Sequence, residues 1–171
     1  MLTRATWEKV KNKIYTNAKA ADRKLKSWRN SGQRVVFTNG CFDIIHVGHI
    51  ETLSKAADLG TKLIIGLNSD ESVKRLKGKG RPHQDEFSRA LILASFEYVD
   101  MIIFFSEDTP IQLIKSIKPD VLVKGGDYRA EEIVGYDIVT KNKGEVVIIK
   151  YVEGYSTTSI IKKIKKEWVT P

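Results

Sequence analysis

Hydrophobic positions along this chain follow two alternating rhythms. Over residues 1–30, Trp7, Val10, Ile14, Ala18, Ala21 and Leu25 recur at steps of three or four between charged positions, the spacing of an amphipathic helix. Ser31-Gly32 ends it. Short continuous apolar runs follow at 34–37, 62–67, Met101–Phe105, 121–123 and Glu145–Ile149. These read as strands buried on both faces, as in a parallel sheet. Between them the pattern predicts a helix over 48–59 stopped by Gly60, another from a Ser69 or Asp70 cap through Leu76, and a third over 85–97. Thr109-Pro110 opens a further helix with proline at its first position. Ser156 caps a last helix, apolar at Ile160, Ile161, Ile164 and Trp168. Lys77-Gly78-Lys79-Gly80-Arg81-Pro82 is a loop, and Gly125-Gly126-Asp127 a turn.

Strands that alternate with helices predict an α/β fold: a single doubly wound parallel sheet with helices on both faces. The domain is expected over residues 34–171, with residues 1–33 as an N-terminal helical extension. That extension either covers the sheet edge or contributes to a homodimer, the oligomer expected here. Ligands of such sheets sit outside the carboxyl ends of the strands, where strand order reverses. The loops after Phe37, Leu67, Phe105 and Val123 are therefore the places for chemistry.

Composition narrows the class. A chain of 171 residues with 42% hydrophobic and 29% charged residues is globular, and no apolar run is long enough to cross a bilayer. No signal-peptide pattern opens it, and Cys41 is its one cysteine, which fits a reducing cytoplasm. The net charge of +8 raises the question of nucleic acid. Much of the excess lies in Lys9, Lys11, Lys13, Lys19, Arg23, Lys24 and Lys26, and in Lys162, Lys163, Lys165 and Lys166. Both groups have helical spacing and lack the interleaved aromatics of a single-strand groove. They read as solvated helix faces, so neither nucleic acid nor membrane is expected as a partner. The basic field still attracts phosphorylated small molecules.

The loop after the first buried strand carries the densest chemistry: Thr38-Asn39-Gly40-Cys41-Phe42-Asp43-Ile44-Ile45-His46-Val47-Gly48-His49. Histidines three apart at a helix start share one face. The same helix start offers free N–H groups and the positive end of the dipole, a cradle for phosphate. Gly40 and Gly48 let an anion approach the backbone. A zinc site would need a third ligand at suitable spacing, which is missing, so no metal site is expected. Near the other end, Ser156-Thr157-Thr158 at a helix start forms a second anion site by the same mechanism.

These two elements resemble the HxGH nucleotidyltransferase superfamily, which implies a Rossmann-like fold. Further segments fall in order: Asn68-Ser69-Asp70, Arg75-Leu76-Lys77-Gly78, Arg81-Pro82, Arg89, Asp108-Thr109-Pro110, Pro119-Asp120, and Val123-Lys124-Gly125-Gly126-Asp127-Tyr128. Within the superfamily the chain, from about residue 34 to 166, is similar to the adenylyltransferases that make ADP-heptose from D-glycero-β-D-manno-heptose 1-phosphate. The nearest alternative is a CTP-dependent cytidylyltransferase acting on glycerol 3-phosphate. Those enzymes place an arginine where Tyr151-Val152-Glu153-Gly154 has tyrosine, which favours ATP.

The resemblance implies in-line displacement at the α-phosphorus with pyrophosphate leaving. His46 and His49 are the implied catalytic residues. Thr38, Asn39, Gly40, Cys41, Phe42, Gly48, Lys77, Arg81, Ser156, Thr157 and Thr158 are implied to bind the nucleotide, with Lys79 an alternative to Lys77 and Arg89 to Arg81. Asp43, Arg89 and Asp127 are implied at the sugar 1-phosphate. Asp43 has a second reading as a partner of loop N–H groups, Asp127 as a turn residue, and Cys41 as a small buried spacer. Mg²⁺ arrives with ATP, held by few protein ligands. A separate heptose-phosphate kinase is implied as the source of the acceptor.

Overall fold

The computed structural model describes residues 5–151 and 154–168, the side chains of 167 and 168 excepted. Val152 and Glu153, and the expected apolar contact of Trp168, lie outside the described residues. Six parallel strands form one sheet: β1 (Ile14–Tyr15), β2 (Val35–Gly40), β3 (Lys62–Asn68), β4 (Met101–Phe105), β5 (Val121–Gly125) and β6 (Glu145–Ile149). Their order is β1-β4-β3-β2-β5-β6. The winding therefore reverses between β2 and β5, where Thr38 lies beside Val123.

Alternation of side chains along the strands builds two cores. Val35 and Phe37 of β2, Ile64, Ile103 and Leu122 face one side. There they pack on Ala21, Leu25 and Trp28 of α2 (Ala18–Asn30) and on Leu113, Ile114 and Ile117 of α6 (Ile111–Ile117). Val36, Leu63, Ile65, Leu67 and Val123 face the other side. Their partners are Leu53 and Ala56 of α3 (Val47–Ala57) and Ala90, Leu93 and Ala94 of α5 (Glu86–Ala94). Strands buried on both faces are continuous apolar runs for this reason.

Residues 1–30 do not form one helix. A short α1 (Ala5–Lys11) precedes β1, and α2 starts afresh behind Asn17, whose side chain accepts from the Ala20 N–H at 3.0 Å. Ile14 and Tyr15 pair with Ile102 and Ile103, and the Ile102 N–H donates to the Lys13 carbonyl at 2.8 Å. The open edge of β4 offers hydrogen bonds that override the helical period of Ile14, and the β-branched residue suits the strand. The N-terminal segment, expected to be helical, thus also supplies the edge strand.

Other boundaries move by a few residues. Ser69 caps α4 (Asp70–Lys77) and Asp85 caps α5, each accepting from the N–H three residues on. Pro110 stands at the N-cap of α6, one place before the expected first turn. A 3-10 turn (Ala130–Glu132) and α7 (Tyr136–Lys141) cross from β5 to β6. The hydrophobic pattern did not reveal them, because both are under two turns long.

Candidate active site

The winding reverses between β2 and β5, and at such a switch point the ligands of open α/β sheets sit in a crevice outside the carboxyl ends of the strands. The loop from Gly40 to His46 leaves β2 at that end. Phe42 adopts φ +46°, a left-handed conformation that a bulky residue resists by about 1–2 kcal/mol. Its buried ring repays that strain, lying 5.2 Å from the His49 ring and against Gly40, where a Cβ would come within 3.0 Å of it. This turn carries the chain from the strand end to His46, the N-cap of α3.

His46 and His49 stack with ring centroids 3.9 Å apart and planes at 24°. The ring of His46 folds over Gly48, where a Cβ would stand 3.1 Å from its Nδ1. Gly48 is therefore small to admit the His46 ring, whereas the sequence pointed to room for an anion. Burial keeps the His46 imidazole below the ordinary histidine value. Burial, and then His46 beside it, lowers His49 to about 4. Both rings are neutral at pH 7. The Nδ1 atoms of both are buried without a hydrogen-bond partner among the described residues.

On the strand side of the same loop the polar groups are satisfied. Asp43 is 2% exposed and accepts from Arg81 Nε at 2.6 Å, from the His83 N–H at 2.7 Å and from the Gln84 N–H at 3.2 Å. Burial alone would raise its pKa, but these three donors more than offset it and hold the carboxyl below its usual value. Asp43 is thus the loop anchor of its second reading, with its oxygens engaged by protein rather than by substrate. Arg89, expected at the substrate or triphosphate, is fully buried. Its guanidinium donates to the Gln84, Cys41 and Asn68 carbonyls and pairs with Asp70 at 2.8 Å. Its donors are thus engaged by protein groups from the ends of β2 and β3, from α4 and from the loop before α5, which makes it a brace of the loop.

The other expected residues are spread over the strand ends and the segments that follow them. Thr38, 3% exposed, lies in β2. Asn39 accepts from Lys124 Nζ at 3.5 Å. Cys41 is partly buried, and burial raises its thiol pKa above the ordinary value. Arg81 stands on Asp43, its side chain 20% exposed. Lys77 and Lys79 lie in exposed chain, with Lys77 near enough to Cys41 to act on its charge. Helix α8 (Thr157–Trp168) meets the loop through Thr157, whose hydroxyl donates to the Ile44 carbonyl at 3.4 Å. The Tyr155 Cβ lies 3.7 Å from the place a Gly48 Cβ would take. Ser156 accepts from the Ser159 N–H at 3.0 Å as an N-cap, and Thr158 is exposed. Asp127 is exposed beside Tyr128 and Tyr151, whose rings approach the Gly125-Gly126 backbone. Sequence reasoning assigned no role to Lys124 or Tyr155. Only the motif around Lys124 hinted at its place.

A Rossmann-like sheet with an HxGH helix start at its switch point defines a nucleotidyltransferase class, and the comparisons with known proteins agree. The chain belongs to the cytidylyltransferase-like family, whose model matches residues 37–163. It is 52% identical over 154 residues to the bifunctional protein HldE of Nitrobacter hamburgensis, which covers 90% of this chain and 32% of that protein. Identity to the HldE of Nitratiruptor sp. is 55% over 140 residues, 82% of this chain and 29% of the relative. The chain thus spans about a third of the length of these curated relatives. Among solved structures, the lipopolysaccharide core biosynthesis protein from Thermoplasma volcanium superposes with a TM-score of 0.57 at 29% identity. That match covers 73% of this chain and all of the other.

Proposed function

We propose that this chain transfers AMP from ATP to D-glycero-β-D-manno-heptose 1-phosphate, giving ADP-heptose and pyrophosphate. The observation that carries the transfer chemistry is the stacked, neutral His46–His49 pair at the start of α3, with buried Nδ1 atoms that no described residue satisfies. A neutral imidazole keeps one N–H to donate to a phosphate oxygen. The acceptor phosphate is already anionic, so one of its oxygens attacks the α-phosphorus without a general base. The P–O bond to pyrophosphate breaks in line with the attack. Catalysis then rests on positioning and on preorganised donors aimed at the developing charge. The N–H groups of the Gly40–Phe42 turn and the first turn of α3 supply further donors.

The sugar is supported by the resemblance of the motif series, and by relatives named HldE and a structural neighbour named for lipopolysaccharide core biosynthesis. Tyr151 in place of an arginine favours adenine over cytosine. We assign Mg²⁺ to the phosphates of the nucleotide substrate, where this cation needs few protein ligands. No helix among the described residues is long and apolar enough to cross a membrane. A cytoplasmic homodimer, fed by a heptose-phosphate kinase, completes the reading.

Purified protein incubated with Mg²⁺, ATP and heptose 1-phosphate should release pyrophosphate and form ADP-heptose. Failure with this pair, alongside good turnover of CTP and glycerol 3-phosphate, would replace the substrate and leave the nucleotidyltransferase reading intact. Failure with every nucleotide and acceptor would reject both.

A further inference from the structure

Strand β5 brings a lysine to the switch point with no anion to meet it among the described residues. Val123 pairs with Thr38, so Lys124 and Asn39 stand at the same level on the two strands that flank the switch point. Lys124 is partly buried, and its one hydrogen bond among the described residues is the long contact of 3.5 Å to Asn39 Oδ1. Burial pushes the ammonium below the ordinary lysine value; the Cys41 thiol opposes that shift and Lys77 adds to it. No carboxylate among the described residues pairs with it.

Among the described residues, the other buried or part-buried cations each have one nearby. Lys62, with a side chain 28% exposed, pairs with Asp100 at 2.8 Å. Lys13 donates to the Phe96 carbonyl at 3.1 Å and feels both Asp100 and Glu97. Arg81 has Asp43 and Arg89 has Asp70. A cation withdrawn from water without a counter-ion is costly, and proteins ordinarily supply a partner or neutralise it. Lys124 instead has a second cation, Lys77, as its neighbour. Two ammonium groups at the mouth of a switch-point crevice, one of them aligned by an amide oxygen, fit an incoming anion carrying more than one negative charge.

We propose that Lys124 is a phosphate-binding residue of this site, taking as its counter-ion a phosphate oxyanion of a bound substrate. The identity of the substrates rests on the function proposed above; the need for an anion does not. A phosphate of the nucleoside triphosphate and the phosphate of the sugar acceptor share the required chemistry, and separate titrations distinguish them.

The test is calorimetric titration of ATP, and separately of heptose 1-phosphate, into wild-type protein and the Lys124→Met, Lys124→Gln and Lys124→Arg variants. Loss of a charged hydrogen bond should weaken one or both ligands by about 10–100-fold in the Met and Gln variants. Lys124→Arg should keep most of the affinity. The arm that weakens names the phosphate. Unliganded Lys124→Met should melt at or above the wild-type temperature, because an uncompensated charge has been removed; a residue needed only for packing would do the reverse. Equal affinities in wild type and both neutral variants, no binding of either ligand to wild type, or a lower melting temperature with unchanged affinity would each overturn the assignment. Should the Met variant not fold, the Gln and Arg pair decides alone. Lys124-dependent ATP binding without any pyrophosphate release would leave this proposal standing and remove the catalytic one.

Discussion

The loop between β2 and α3 treats its polar groups in two ways along its length. At Cys41 and Asp43 buried charge meets its complement: Asp43 holds Arg81 and two N–H groups, and Arg89 takes up the Cys41 carbonyl together with Asn68, Gln84 and Asp70. Three and six residues further on, His46 at the loop's end and His49 in the first turn of α3 bury their Nδ1 atoms with no described partner. Buried polar groups left unpaired forfeit about 1–3 kcal/mol each, so a fold keeps them where a ligand will complete them. The satisfied half is a brace and the unsatisfied half is a receptor, although both are built from the same kinds of residue.

The largest effect should come from breaking the brace. Arg89→Met strands Asp70 and three carbonyls, and removal of one partner of a buried ion pair costs about 3–5 kcal/mol. For a chain of this size that lowers Tm by roughly 10 °C, as thermal unfolding will show. A Tm within two or so degrees of wild type would mean that Arg89 is free to serve a ligand after all.

Next in size, His46→Ala or His49→Ala should lower kcat by about 10²–10³-fold, the scale of one lost preorganised donor. Tm should fall less than in Arg89→Met, since only ring packing is lost and the Nδ1 atoms satisfy no described partner. A variant with near-normal pyrophosphate release would place catalysis elsewhere.

A pH series sharpens the contrast. The folded-state pKa of His49 is depressed to about 4, against an ordinary value of 6.5. Between these values the unfolded chain binds the proton and the folded chain does not. The stability that His49 retains above pH 6.5 is therefore lost as pH falls toward 4, by at most about 1.4 kcal/mol per unit. His46 adds to the loss in the same direction. Asp43, whose pKa is depressed below 3.8, gives up its contribution only at still lower pH. Denaturant titrations from pH 7 to 3 should show the histidine loss first, and His49→Gln should flatten it.

The smallest effect expected is that of Ser156→Ala. It removes the N-cap of α8 and costs about 1 kcal/mol, read from the denaturation midpoint. If KM for ATP rises as well, the helix start serves the phosphates in addition to capping itself.

Much of this molecule is visible in its residue order because the signals are local. Met101–Phe105 and Glu145–Ile149 emerge with their bounds intact, since buried parallel strands need unbroken apolar runs. The histidine pair is visible for a similar reason, as two residues three apart at a helix start share a face whatever surrounds them. Ile14 shows where local reading stops: its helical period is real, but the unpaired edge of β4 lies 88 positions away along the chain and wins the backbone.

The sequence by itself therefore determined the parallel α/β sheet and the residues of the HxGH loop, while the strand order that sets the switch point came from the fold. Periodicity, caps and strand alternation each depend on neighbours a few positions apart. Tertiary structure decided which charged residues face a ligand. Arg89 and Lys124 are both basic residues beside the same crevice, and nothing near either in sequence separates them. The fold surrounds Arg89 with Asp70 and three carbonyls from separate segments; among the described residues it gives Lys124 an amide oxygen, a thiol and another cation, and no carboxylate. Whether a buried charge is satisfied depends on groups brought together from distant parts of the chain, and that is a property of packing.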